Sequence, residues 1–216
     1  YTRSTRLLAA AAAIWRKRTG IATGNQPHFC LRRRRAAGRP SRQETSGKEI
    51  KMPLNMQQLL DYLQTLNISV STNQHPPLHT VADSKLLRGE IPGGHTKNLF
   101  LKDRKDQYFL LTVDEDAIVD LKTIHLVIGA AGKVSFGGAE TLLELLGVVT
   151  GAVTVFGAVN VKEGKLNLFL DAGLMQNEII NGHPLVNDAT TSIAAADLIM
   201  FLNATGHAPN ILKLTA

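Results

Sequence analysis

Cysteine is almost missing: Cys30 is the only one in 216 residues. From residue 52 onward there is none, which excludes disulfides, thiolate catalysis and cysteine-ligated metal from that part of the chain. Such usage fits a reducing compartment. No apolar run is long enough to cross a bilayer, so a membrane-spanning helix is excluded and no membrane partner is expected. Acidic residues are absent from residues 1–43, which carry 11 Lys and Arg. The other 13 basic residues therefore face all 18 acidic ones, and beyond residue 43 the chain carries a net charge of −5 although the whole is +6. Overall attraction to a polyanion is thus excluded for the main part of the chain. Any RNA contact there has to use a local basic patch.

Several catalytic signatures are missing too. There is no G-x-S-x-G, so a serine-hydrolase elbow has no support. GGHTK, Gly93 to Lys97, has its lysine in the wrong place for a phosphate-binding P-loop, and a strand pattern follows where a helix is needed. His75 and His79 are four residues apart, but Pro76 and Pro77 between them break the helix that would put both on one face, which argues against a metal pair.

What is present divides at Met52. Residues 1–51 include RLLAAAAAIWRKR and LRRRR and lose hydrophobic periodicity after Trp15. Arg-rich, acid-poor sequence is the composition of a mitochondrial transit peptide. The chain starts with Tyr, however, and a globular pattern opens at Met52. The codons for Gly47 to Met52 are compatible with a bacterial ribosome-binding site ahead of a start codon. Residues 1–51 are therefore expected to be a translated leader or expression-derived stretch without order, with a basic RNA-binding arm as the alternative. Residues 52–216 are long enough for one domain with a sizeable core.

Along that domain, Leu59, Leu60, Leu63 and Leu66 recur at helical spacing behind Asn55, a candidate N-cap. Ile68–Ser71 reads as a strand broken by His75-Pro76-Pro77, and Thr80–Leu87 as a short helix. Asn98–Lys102 and Tyr108–Val113 read as a hairpin across the polar turn Asp103–Gln107. Helices are expected over Asp120–Ile128, Ala139–Leu146 (closed by Gly147) and Thr191–Ala204 (capped by Thr190 or Thr191, ended near Gly206). Val134–Phe136, Leu166–Leu170, a segment opening at Ile179-Ile180 and Ile211–Leu214 read as strands or chain-closing extensions. Short strands mixed with helices around an evident hairpin imply a single α/β domain with a mixed sheet, helices packed around it, and no regular βαβ series.

Three segments carry candidate chemistry, each with an ordinary reading beside it. Lys97, with its neighbour Asn98, opens a core strand; a lone strand-end lysine usually just reaches solvent. GVVTGAVTVFGAVN, Gly147 to Asn160, has Gly147, Gly151 and Gly157 where backbone N–H groups could approach a ligand oxygen, or simply a helix end and a tight turn. NGHPLVNDATT, Asn181 to Thr191, gathers His183, Asn187 and Thr190 before an expected helix N-terminus, a place for an anion or for plain cap chemistry.

Taken together, GGHTKNLFLKD, GAVTVFG and GHPLVNDATT resemble the YbaK/ProX family of aminoacyl-tRNA deacylases, relatives of the editing domain of bacterial prolyl-tRNA synthetases. The resemblance runs in the family's order from about Asn55 to Leu214 and is most like the ProX, or prolyl-tRNA deacylase, type. Many members have proline in the glycine loop where this chain has Val155. The resemblance implies a cytoplasmic, monomeric trans-editing hydrolase for alanyl-tRNA(Pro), with no cofactor or metal. Its partner would be the acceptor end of an aminoacylated tRNA, with prolyl-tRNA synthetase as a further candidate.

It also implies that Lys97 is the essential residue, its ammonium meeting a terminal phosphate or the ester carbonyl, and that His183 orients water or the adenosine. Substrate would be held by Asn98, Gly151, Thr154, Gly157, Asn160, Asn187 and Thr190. If β-pleating is regular, Asn98 faces away from Lys97. Two alternatives stay open: a deacylase for cysteinyl- or seryl-tRNA, and a non-catalytic tRNA- or synthetase-binding module. A chain beginning at Met52 is expected to melt and to act like the full-length chain. A large loss of thermal stability on truncation would contradict this, and a loss of RNA affinity alone would favour the basic arm.

Overall fold

The computed structural model describes residues 52–77 and 91–215. The expected leader and the expected helix Thr80–Leu87 lie outside these. Helix α1 spans Met56–Thr65. Asn55 caps it reciprocally: its side chain accepts from the Gln58 N–H at 3.0 Å, while the Gln58 side chain accepts from the Asn55 N–H at 3.0 Å. Such a cap stabilises a helix by about 1 kcal/mol. Leu59 and Leu63, one turn apart, are the fully buried members of its leucine set.

Strand β1 follows at Val70–Gln74, two residues later than the sequence pattern places it, because Leu66 and Asn67 close the helix and buried Ile68 packs under it. Strands β2 (Gly94–Lys102) and β3 (Tyr108–Asp114) form the expected hairpin in seven antiparallel pairs. The expected helix over Asp120–Ile128 shrinks to α2, Ile124–Val127. Asp120 explains the shortening: its carboxylate accepts from the Lys122 N–H and the Thr123 hydroxyl and folds those residues into a turn.

Strand β4 is Ser135–Phe136 and helix α3 is Ala139–Leu146, closed by Gly147 at φ 69°. A 3-10 helix over Val155–Asn160 leads to β5, Asn167–Asp171. A second 3-10 turn, Leu174–Gln176, precedes β6, Ile179–Gly182. Here a larger correction is needed. Thr190 and Thr191 are not helix caps; they belong to strand β7, Ala189–Ala194, and helix α4 starts only at Ala195 and runs to Ala204. The β-branched residues Thr190, Thr191 and Ile193 favour a strand, and Thr72 on β1 meets Thr191 across the ladder, hydroxyl to hydroxyl, at 2.8 Å. Strand β8, Asn210–Leu212, ends the sheet.

The strand order is β1-β7-β6-β2-β3-β5-β8, with β4 paired to the far end of β2. Two halves meet at a short parallel seam, Gly94 against Ile180 and His95 against Asn181. Glycine is required there. An ideal Cβ on Gly93, whose φ is +111°, would lie 2.6 Å from the Ile179 carbonyl oxygen, and one on Gly94 would lie 2.7 Å from Asn177 Nδ2. Pleating splits the sheet's side chains between two cores. Phe100, Leu110, Leu168 and Leu170 join α1, α3, α4 and the 3-10 helix around Phe156 and Phe201. Leu101, Phe109, Leu111, Val113 and Phe169 pack with Ile124 and Leu214 on the opposite face. No helix among the described residues is long and apolar enough to cross a membrane.

At the tip of the β2–β3 hairpin, buried Asp103 organises two loops. Its carboxylate accepts from the Lys105 and Gln107 N–H groups of the turn and from Ala131 N–H at 2.8 Å. Burial alone would raise its pKa, but those three donors outweigh it and hold the carboxyl below the usual aspartate range. A depressed folded pKa stabilises the fold above the unfolded value, and that stabilisation is lost as pH falls through the folded value. Asp103→Ala should therefore melt below wild type at pH 7 and lose less on acidification. Melting curves between pH 7 and pH 3 check this; parallel curves for the two proteins would contradict it.

Candidate active site

The parallel seam brings the GGHTK and NGHP segments side by side. Thr96 donates its hydroxyl to the Asn181 carbonyl at 2.8 Å, and Asn181, buried, returns its amide N–H to the Pro92 carbonyl at 3.0 Å and accepts from Ser192. Gly182 comes next, where an ideal Cβ would lie 3.3 Å from the Phe156 ring and 3.4 Å from Thr96 Oγ1. Strand β6 ends there, one residue before His183.

Lys97 and Asn98 diverge from this point, on opposite faces of β2. Lys97 sits across from Val113, on the side of the second core. It is half-buried, and its ammonium donates to the Glu115 carbonyl at 3.1 Å and to the Ala117 carbonyl in the loop after β3. An ammonium has three donors, so one is left beyond these two bonds. Asn98 faces the first core and accepts a 2.8 Å hydrogen bond from the buried Thr112 hydroxyl directly across the ladder.

His183 lies in a half-buried position at the start of the loop 183–188, with Asn187, also half-buried, four residues on. The loop is tight: Leu185 N–H donates to the His183 carbonyl at 2.9 Å, and buried Leu185 adopts φ 69°. A bulky side chain in the left-handed region costs on the order of 1–3 kcal/mol and persists only where packing over-determines it. Because the loop runs into strand β7, no helix N-terminus stands behind it as an anion site. Thr190 is buried, and its hydroxyl lies 2.9 Å from Nε2 of His75, whose Nδ1 lies 2.9 Å from the Pro76 carbonyl. A carbonyl only accepts, so Nδ1 carries the proton of that bond. The His75 and His183 rings are 6.4 Å apart between centroids. His75 is the residue that sequence reasoning passes over. It marks the end of a strand, and nothing in its local pattern signals a partner 115 residues away.

The glycine-spaced segment is more inward than its sequence implies. Thr154 is fully buried and caps the 3-10 helix by accepting from Phe156 N–H. Gly157 N–H is spent on the Thr154 carbonyl, and Gly157 lets the 3-10 helix lie against α3, an ideal Cβ there falling 3.1 Å from Leu146 Cβ. Asn160 uses both amide ends inside the fold, accepting from Leu54 N–H at 2.7 Å and donating to the Leu146 carbonyl at 2.9 Å. Of the four candidate contacts in this segment only Gly151 is exposed, with φ +91° and open space where a Cβ would stand. Among the described residues, no three His, Cys, Asp or Glu side chains gather to hold a metal ion.

Comparison with known proteins adds the family. Residues 75–201 match the aminoacyl-tRNA editing domain. The chain is 30% identical over 159 residues to the prolyl-tRNA editing protein ProX of Acetoanaerobium sticklandii, covering 73% of this chain and 96% of that one. It is 35% identical over 158 residues to prolyl-tRNA synthetase associated domain-containing protein 1 of Danio rerio, covering 72% and 85%. Its fold is like a solved structure described as a candidate trans-editing enzyme for prolyl tRNA synthetase, with a TM-score of 0.57 at 20% identity over 74% of this chain and 94% of that one. The matched region starts at His75 and takes in β2, the glycine-spaced segment and the 183–188 loop, and the chain belongs to the aminoacyl-tRNA editing domain family.

Proposed function

We propose that this protein hydrolyses the ester of mischarged tRNA, with alanyl-tRNA(Pro) as its substrate, and that Lys97 is the residue on which the rate depends. The observation that carries the reading is the family match across residues 75–201, joined to a lysine whose ammonium is held by two backbone carbonyls with one donor left over.

The chemistry asks for little machinery. Water adds to the ester carbonyl carbon, the carbonyl oxygen becomes an oxyanion, and the terminal ribose hydroxyl leaves as the carboxylic acid forms. A positioned cation that meets the oxyanion lowers the barrier most, because it interacts more strongly with the developing charge than with the ester. Lys97 is the cation in this reading. Two carbonyls fix its direction, so little reorganisation accompanies reaction. His183, in the loop that follows β6, orients the water or the adenosine. The vicinal ribose hydroxyl assists by relaying a proton, taking a hydrogen bond from the water and passing its own proton to the departing ribose oxygen. Asn187, Thr190 and the exposed Gly151 turn are the candidates for substrate contact, while Asn98 faces away from Lys97 and is bonded to Thr112. Thr154, Gly157 and Asn160 shape the site from behind, since their polar groups are occupied within the fold.

Selectivity follows from size. A synthetase pocket made for proline rejects the smaller alanine by only ~1–3 kcal/mol. A second pocket that admits alanine and excludes proline removes the error after the fact.

The test is single-turnover deacylation of alanyl-tRNA(Pro) by Lys97 variants beside their melting curves. Lys97→Ala should lose on the order of a hundredfold in rate or more, the usual scale for removing one oxyanion donor, while melting close to wild type. Lys97→Arg should restore little, since a planar fork does not replace a compact ammonium between two carbonyls. Near-wild-type rates in Lys97→Ala would overturn the assignment. A Lys97→Ala protein that melts far below wild type would make the residue structural.

A further inference from the structure

Among the described residues there are nine Lys and Arg, and six of them stand at one end of the sheet. Lys102 ends β2, Arg104 and Lys105 form the hairpin turn, Lys133 lies two residues before Ser135, which pairs with Lys102, and Lys162 and Lys165 precede β5. The parallel register of Phe109 with Asn167 puts the start of β5 beside the start of β3, at the hairpin's tip. The opposite end holds Asp114, Glu115, Asp116 and Asp120 around the loop after β3. The fold thus separates charge that the sequence intersperses.

One acid at the basic end is silenced by burial, and two others are exposed. Asp103 is buried and bonded to three backbone N–H groups. Asp106 pairs with Lys102 at 3.4 Å. Glu163 lies over Gly206, an ideal Cβ there falling 3.4 Å from Glu163 Cγ. The cations are also held in place. The Asp103–Ala131 bond ties the hairpin turn to the loop carrying Lys133, and the Arg104 stem lies against Gly132, whose ideal Cβ would be 3.6 Å from Arg104 Cδ. Arg104, Lys105, Lys133, Lys162 and Lys165 are all exposed.

We propose that this end of the sheet is an RNA-backbone contact surface, which grips the helical stem while the chain terminus reaches Lys97. The inference rests on the proposed tRNA substrate and adds where its backbone binds. The four adjacent strand ends β4, β2, β3 and β5 span about 14 Å at about 4.8 Å per strand, room for several phosphates. Lys97 is five residues up β2 from Lys102, about 17 Å at about 3.3 Å per residue. That distance suits a single-stranded terminus stretched from a helical stem to the reacting ester.

The experiment compares two double variants of the full chain: Arg104→Gln/Lys165→Gln at the basic end, and Lys122→Gln/Lys213→Gln at the opposite end. The probe is an RNA hairpin helix ending in single-stranded CCA, titrated over a range of salt. Folding of each variant is checked by melting. The basic-end variant should bind roughly tenfold more weakly, and its slope of log affinity against log salt should fall by roughly 0.7–0.9 for every phosphate that the substituted side chains had neutralised. The opposite-end variant should keep the wild-type slope. A short aminoacylated oligonucleotide without a stem should be hydrolysed equally by all three proteins. Equal weakening in both variants, unchanged binding in both, or equally tight binding of a poly-glutamate peptide would overturn the proposal. Binding through the basic end with no ester hydrolysis by wild type would sustain this surface and overturn the assigned reaction instead.

Discussion

The two residue pairs between β2 and β6 are the contact on which the rest of the molecule depends. Without them the β1–β7–β6 half and the β2–β3–β5–β8 half are separate sheets. The approach is close because Gly93 and Gly94 carry no side chain to meet Ile179 and Asn177. A methyl group at either position would collide with the neighbouring strand at 2.6–2.7 Å. The same two glycines therefore set the fold and bring the lysine-bearing strand beside the histidine-bearing loop. Buried Asn181 locks the arrangement by bonding Pro92 on one side and Ser192 on the other.

From that seam outward, each polar group has a physical reason for its place. Lys97 emerges on the face of the second core and ends on two carbonyls, so its charge is solvated by the protein's own backbone. Asn98 turns to the other face and is fixed by Thr112. A half-buried charge and a half-buried amide in neighbouring positions thus serve different surfaces of one strand. The strained Leu185 beside His183 shows packing imposing a backbone shape that the residue itself disfavours. At the far end of β2, the Asp103 carboxylate binds two loops together and leaves the surrounding cations exposed. Along this one strand, Lys97 and the basic end lie about 17 Å apart.

Elements with a complete local signal were legible in the sequence. Helix α3 has leucines at helical spacing and a glycine stop, and Ala139–Leu146 is where the chain forms it. The hairpin has apolar runs on either side of a polar turn and appears in full. The α1 cap is read directly from Asn55, and the structure adds Gln58 as its reciprocal partner. Elements decided by distant partners were not legible. Thr190 to Ile193 looks like the opening of an apolar helix until β1 and β6 are there to pair with it. Asp120 looks like a helix start and instead folds its own neighbours into a turn. The 3-10 helix Val155–Asn160 hides in a glycine-rich stretch that resembles an open loop, and its N–H groups are consumed internally. For the site, the three motifs fall inside the stretch 75–201 that matches the editing domain. The His75–Thr190 contact bridges 115 residues and left no trace in local pattern.

The central claim is that this fold removes a small, wrong amino acid from tRNA. Its most direct measurement is a side-by-side hydrolysis panel at equal enzyme concentration, using alanyl-, cysteinyl- and seryl-tRNA together with correctly charged prolyl-tRNA. The account predicts fast loss of alanine from tRNA(Pro), slower loss of the other two wrong amino acids, and prolyl-tRNA left intact. Hydrolysis of prolyl-tRNA at a rate equal to alanyl-tRNA(Pro), or no hydrolysis of any of the four, would contradict it.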